Sequence, residues 1–234
     1  MVRDSQRNPI AISRVAMQCR RMSDIIIWTY DWVPEFPRGF VRDMRLRWAC
    51  EEAGLAYSVR SVPFEGRETN HLSQQPFGQV PFLADGKVEI FESGACLLHL
   101  ARKSEVLMPR DPAGEAATTQ WLIAALNSIE MVAVPWWFLE VTGAEKNGFT
   151  EWVGKRLAQL EAVLSEREWL VADRFTAADL LMADVLRVSK LRAFGDRPAS
   201  ERYVARVTGR PAFKKAHAGQ MAHFAAGDAR RGHN

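Results

Sequence analysis

Cysteine is scarce in this chain of 234 residues: only Cys19, Cys50 and Cys96 occur, and no two form a CxxC pair. An odd, dispersed set excludes a disulfide framework and offers no zinc-ligand spacing, so no metal is expected and a reducing cytoplasm fits best. Long apolar runs are also missing. The best candidates are broken by Glu, Asn, Pro or Arg short of the ~20 residues a membrane helix needs, so no membrane partner is expected. Charge of one sign is scarce beyond the N-terminus. Residues 1–21 carry five arginines against Asp4, more than the whole net charge of +3, and the remainder is left at −1. A neutral body has no electrostatic footprint for nucleic acid. The apolar stretch Ile10 to Met17, interrupted by Ser13 and Arg14, is too weak for a secretory signal. Residues 1–23 are expected to be a disordered tail, or an over-long start ahead of Met22.

What is present is a core-forming composition, 47% hydrophobic and 25% charged. Ile25-Ile26-Ile27-Trp28-Thr29 is a short β-branched run without helical period, the pattern of a strand buried on both faces. A loop rich in proline and aromatics follows, then a helix predicted over Gly39 to Ala53 and closed by Gly54. Tyr57 to Val62 reads as a second strand, parallel to the first through a right-handed crossover. The polar stretch Glu65 to Gln75 has room for one helical turn. Val80 to Phe91 contains Asp85-Gly86 between apolar runs, a hairpin signal, because both turn residues tolerate positive φ. Ser93 is then predicted as N-cap of a helix over Gly94 to Arg102.

Beyond Pro109 and Pro112 the strand signals stop. Helices are predicted over Ala113 to Val134, Phe149 to Arg167, Ala177 to Val188, Ser200 to Val207 and Pro211 to Phe224, with Val153, Leu157, Leu160 and Leu164 as one apolar stripe. Pro135 is expected to kink or end the first of these. Thr176 and Asp179 have capping-box spacing, a folding device that keeps Asp179 out of any site. The reading is an α+β first domain over 24–104 and an all-α domain over 112–225.

Val80-Pro81 opens a predicted strand, where proline has no amide for the ladder. Taken alone it decides nothing. However, Gly54-Leu55-Ala56-Tyr57, Gly78-Gln79-Val80-Pro81-Phe82-Leu83, the Asp85-Gly86 turn and Ile90-Phe91-Glu92-Ser93-Gly94-Ala95 follow one another at the spacing found in glutathione transferases. Phe175-Thr176-Ala177-Ala178-Asp179-Leu180 resembles the same family's second-domain signature. The resemblance covers roughly residues 24–225. It implies a thioredoxin-like βαβ-ββα domain, a helical-bundle domain, a homodimer, and glutathione as co-substrate beside a small hydrophobic electrophile, as in detoxification.

On that resemblance a cis Val80-Pro81 would offer the Val80 backbone to the ligand's cysteine unit as a short strand, with Gln79 beside it. Ser93, at a helix N-terminus, would take the γ-glutamyl carboxylate and Glu92 its ammonium. Arg38 and His71 are further candidates for glutathione carboxylates. The family activates the thiol with a Tyr, Ser or Cys near the first strand or helix. Aligned back from Gly54, the Ser or Cys falls at Phe40 to Arg42, where neither stands. Aligned forward, Tyr30 occupies the tyrosine position and is the catalytic candidate, against the alternative of packing beside Trp28, Trp32 and Phe36. Trp121, Trp136 and Trp137 are candidates for an aromatic electrophile pocket or for core. Residues 25–49 hold no cysteine, so thiol redox catalysis is not expected, and Cys50 and Cys96 read as buried. The rivals to a transferase are a glutathione-dependent isomerase or dehalogenase, and a binding or interaction module without activity.

Overall fold

A computed structural model describes residues 24–232, so the expected tail and Cys19 lie outside the described residues. The first run forms β1 (Ile25–Tyr30), with Ile25, Ile27 and Thr29 buried and the alternate residues half-buried. Burial on both faces is therefore corrected to one covered face. Helices α1 (Asp43–Ala53) and α3 (Ser93–Ala101) pack on the inner side. On the strand itself Trp28 is only stacked on Phe82 and capped by the Arg60 guanidinium. The crossover through α1 places β2 (Ser58–Val62) parallel to β1, Ile26 opposite Ser58. The short α2 (Arg67–Asn70) intervenes, and Gly86 at φ +62° turns β3 (Phe82–Asp85) into antiparallel β4 (Val88–Phe91). Strand order is β2-β1-β3-β4, the expected βαβ-ββα domain.

Several boundaries differ from expectation. Helix α1 starts at Asp43, not Gly39, because residues 35–40 close two turns and Gly39 is left-handed, at φ +82°. A side chain there would also strike the His217 imidazole, 2.7 Å from an ideal Cβ. Ser93 is the first residue of α3 rather than its N-cap, a place taken by Glu92 at φ +69°. The first helix of the second domain runs on through Pro135, as α4 (Pro112–Ala124), a π-helical segment (Ala125–Glu130) and α5 (Met131–Thr142). By length and composition this continuous run, Pro112–Thr142, is apolar enough to cross a membrane, which corrects the expectation that no run comes near. Its buried side chains, among them Leu122, Ala125 and Ile129, serve a helical core packed on the helix over Ala177–Leu186.

Helix α6 (Thr150–Glu166) buries Val153, Leu157, Leu160 and Leu164 as the periodicity predicts. Helix α7 (Ala177–Leu186) carries the Thr176/Asp179 capping box, and Asp179 also accepts from Tyr203 Oη at 2.9 Å. A 3-10 segment (Ser189–Phe194) not foreseen in the sequence follows, then α8 (Pro198–Thr208). Helix α9 (Pro211–Arg231) extends seven residues past the predicted end and packs along α1. Arg210 grips Glu52 through two bonds of 2.7 Å, and Gln220 donates to Val41 O at 2.9 Å. Gly227 lies so close to Asp31 O that a Cβ would sit 2.6 Å from it.

Cys50 and Cys96 are fully buried, and burial pushes both thiols up to about 12. In a Cys19→Ser variant, a thiol-reactive disulfide reagent at pH 8 should therefore label neither until denaturant is added. Fast labelling of the folded protein would refute the inert assignment.

Candidate functional site

The two domains enclose a cleft of about 620 Å³. One wall comes from the first domain: Tyr30 at the end of β1 and Gln79-Val80 entering β3. The loop 31–42 adds Phe36 and Phe40, while the π segment, α5 and the stretch after α7 close the far side.

The Gly78–Val80 edge is held by three side chains. Tyr30 Oη donates to Gly78 O at 2.9 Å. His71 Nε2 lies 3.1 Å from Gln79 O, and since a carbonyl only accepts, that nitrogen carries the proton. Gln75 Oε1 accepts from the amides of Phe77 (2.6 Å) and Gln79 (3.2 Å). Gly78, at φ +64°, packs against the Arg67 carbonyl, 2.6 Å from where a Cβ would lie, so glycine is required there. Val80-Pro81 is cis. His71 is buried and stacked on Phe82, an internal brace rather than an exposed loop residue. Burial raises the pKa of Tyr30, partly offset by Arg67, so its hydroxyl stays a neutral donor.

Ser93 is buried at the start of α3, and its Oγ accepts from Arg45 Nη1 at 3.0 Å. That leaves the hydroxyl proton free to donate. Arg45 is itself buried, donating through Nη2 to Glu130 (2.7 Å) and through Nε to Asp184 (2.8 Å). Arg42 joins Glu130 at 3.0 Å and Arg187 joins Asp184 at 2.8 Å. Burial pushes the Glu130 carboxyl up, but Arg45 and Arg42 outweigh it and hold it below its usual value. Asp184 is likewise raised by burial and lowered further by Arg187 and Arg45. Glu130 ends the π segment, and such irregular turns recur at functional sites. The sequence alone does not display this network, in which Arg45 stands 85 positions from Glu130 and 139 from Asp184. Its only local signal is that Arg45 and Arg47 interrupt the otherwise apolar stretch Met44 to Cys50 of α1.

The remaining candidates divide. Glu92 is exposed beside Ser93. Arg38 does not line the cleft: its guanidinium is spent on Val33 O (2.9 Å) and on Asp228 of α9 (2.6 Å). Asp228, held down to about 2 by Arg38 and Trp32, ties the loop 31–40 to the last helix. Trp137 lines the cleft, stacked on Phe36 at 4.9 Å, whereas Trp136 is buried on Phe194 and Trp121 is half-buried.

A thioredoxin-like sheet domain followed by a helical domain, with the cleft between them, defines the class. The family model for the glutathione S-transferase N-terminal domain matches residues 37–102 and that for the C-terminal domain residues 145–211. A glutathione S-transferase of Hyoscyamus muticus is 30% identical over 195 residues, 74% of this chain and 91% of its own. The theta class glutathione S-transferase of Xanthomonas axonopodis pv. citri, solved with glutathione bound, superposes with a TM-score of 0.66 at 26% identity, covering 83% of this chain and 97% of that one. The nitrogen regulation fragment of the yeast prion protein Ure2p shares the fold, with a TM-score of 0.71 at 22% identity over 84% of this chain and 97% of its own. The chain belongs to the glutathione S-transferase family.

Proposed function

We propose that this protein binds glutathione in the cleft and transfers its thiolate to a small hydrophobic electrophile. The observation that carries the reading is that one cleft joins the braced Gln79-Val80 edge to apolar walls from the helical domain, with Arg45, the donor to Ser93, lining it. Val80 pairs with the cysteine unit of the extended tripeptide as a two-bond strand. Ser93, its oxygen already satisfied by Arg45, donates to the γ-glutamyl carboxylate at the positive end of α3, and Glu92 accepts from the ammonium. Tyr30 and Ser189 are the two hydroxyl side chains lining the cleft, and Tyr30 stands on the glutathione wall. Its O–H stabilises the thiolate. Sulfur attacks the electrophilic carbon, the C–S bond forms, the leaving group departs with its electron pair, and the thiol proton goes to solvent. A second copy covers the exposed stripe Ile123, Met131 and Phe138, forming a homodimer.

Ser93→Ala tests the assignment. Losing a charge-assisted hydrogen bond should weaken glutathione binding by roughly 10- to 100-fold in calorimetry, while Arg45 keeps its two carboxylates and melting changes little. Equal affinities for variant and parent would return Ser93 to a purely structural role.

A second reading is a glutathione-binding module without transferase activity. It is favoured by the absence of Ser and Cys at Phe40 to Arg42 and by the engagement of Tyr30 Oη with Gly78 O.

A further inference from the structure

The apolar cleft is not electrically neutral. Its two carboxylates, Glu130 and Asp184, are already bridged, the first by Arg42 and Arg45 and the second by Arg45 and Arg187. Three guanidiniums therefore face two carboxylates. Lys190 also lines the cleft and has no ion-pair partner among the described residues. The surplus is positive, and its unpaired member, Lys190, is exposed to solvent.

Lys190 alone stands apart from the glutathione end, which Arg45 serves through Ser93. Val80 and Ser93 belong to the first domain, whereas Lys190 stands in the 3-10 segment after α7, on the wall made by the helical domain. Around it the surfaces are aromatic and accessible. Phe36 is 62% exposed and stacked on Trp137, and Phe40 is 45% exposed with the Arg187 guanidinium 4.1 Å from its ring centre. A flat ring extends the Phe36–Trp137 stack, and an anionic substituent on it meets the unpaired ammonium.

Resting on the transferase reading above, we propose that the electrophile is a planar aromatic compound carrying a carboxylate or comparable anionic group, the ring seated against Phe36 and Trp137 and the anion on Lys190. Reaction on such a ring joins sulfur to the carbon bearing the leaving group. The carbon–leaving-group bond breaks, and its electron pair departs with that group as an anion.

Calorimetry with reduced glutathione and two stable conjugates, S-benzylglutathione and S-(4-carboxybenzyl)glutathione, tests this without requiring turnover. The carboxylated conjugate should bind about fivefold more tightly than the neutral one at low salt, with the advantage shrinking as salt is added. Lys190→Ala should bring its affinity down to that of the neutral conjugate, and Lys190→Glu should reverse the order. Equal affinities in the parent, or a preference that survives both substitutions, would overturn the anionic class while glutathione binding stands. Failure of all three ligands to bind would overturn the glutathione reading itself, and this inference with it.

Discussion

Tyr30→Phe is expected to raise the pKa of the bound glutathione thiol by about one unit, a loss of about 1.4 kcal/mol of thiolate stabilisation, and to change glutathione affinity only a few-fold. In the structure Tyr30 Oη donates to Gly78 O. A neutral bond of that kind contributes about 0.5–1.5 kcal/mol, and one to an anion about 1.5–3 kcal/mol. A thiolate placed at the Val80 edge therefore outcompetes the carbonyl for the same proton. Affinity is set elsewhere, at Val80 and Ser93, and Gln75 and His71 still hold the edge when the Tyr30 hydroxyl is gone. Thiolate absorbs in the ultraviolet, so titrating the complex reads the pKa directly. An unshifted titration with looser binding would make Tyr30 a brace for Gly78, leaving the thiolate charge to Arg42 and the first amides of α1. A parent complex whose thiol titrates like free glutathione would favour the binding module.

Arg45→Met should be the most destabilising single change in the site. The side chain is buried, and its removal leaves Glu130 and Asp184 facing an apolar replacement with only Arg42 and Arg187 to serve them. Removing one partner of a buried ion pair costs roughly 3–5 kcal/mol. For a chain of this size that is a melting decrease on the order of 6–20 °C in a thermal scan. The pH dependence carries the signature. In the parent both carboxyls are held below their usual values, so their contribution is complete above the ordinary carboxylate range and is lost as acid takes the solution through the folded-state values. In the variant burial acts with less opposition, the folded carboxyls rise, and part of the deficit returns on acidification from neutral pH toward about 5. Adding Glu130→Gln should recover stability at neutral pH. A variant that melts with the parent at every pH would show the network to be energetically idle.

The parts of this molecule legible in the sequence are those whose causes are local. The Asp85-Gly86 turn, the Thr176/Asp179 box and the α6 stripe depend on residues within a few positions of one another, and each is found where the spacing places it. Misplaced boundaries have causes that residue type does not announce, distant for one and a neighbour's backbone for the other. Gly39 is held left-handed against His217, and the start of α3 is fixed by Glu92 at positive φ. Arg45 reaches Asp184 across 139 positions of chain, so no window of sequence displays the pair. Arg38 shows the same gap from the other side. A basic residue beside a family-like motif reads as a ligand contact, but its partner is Asp228, 190 residues away. Tyr30 stands out in the sequence as a tyrosine at the end of the first strand, while its bond to Gly78 depends on the loop's three-dimensional path.

The clasp of Arg38 and Trp32 on Asp228 also bears on how the site comes into being during synthesis. Chains emerge N-terminal end first, and a domain folds once its own residues are available. Residues 24–104 can assemble their sheet early, yet the loop that carries Phe36 into the cleft has its anchor on α9, almost the last part of the described chain to leave the ribosome. The aromatic wall is therefore the latest part of the cleft to take shape, and a ribosome-stalled chain lacking α9 holds the Val80 edge without a finished place for the second substrate.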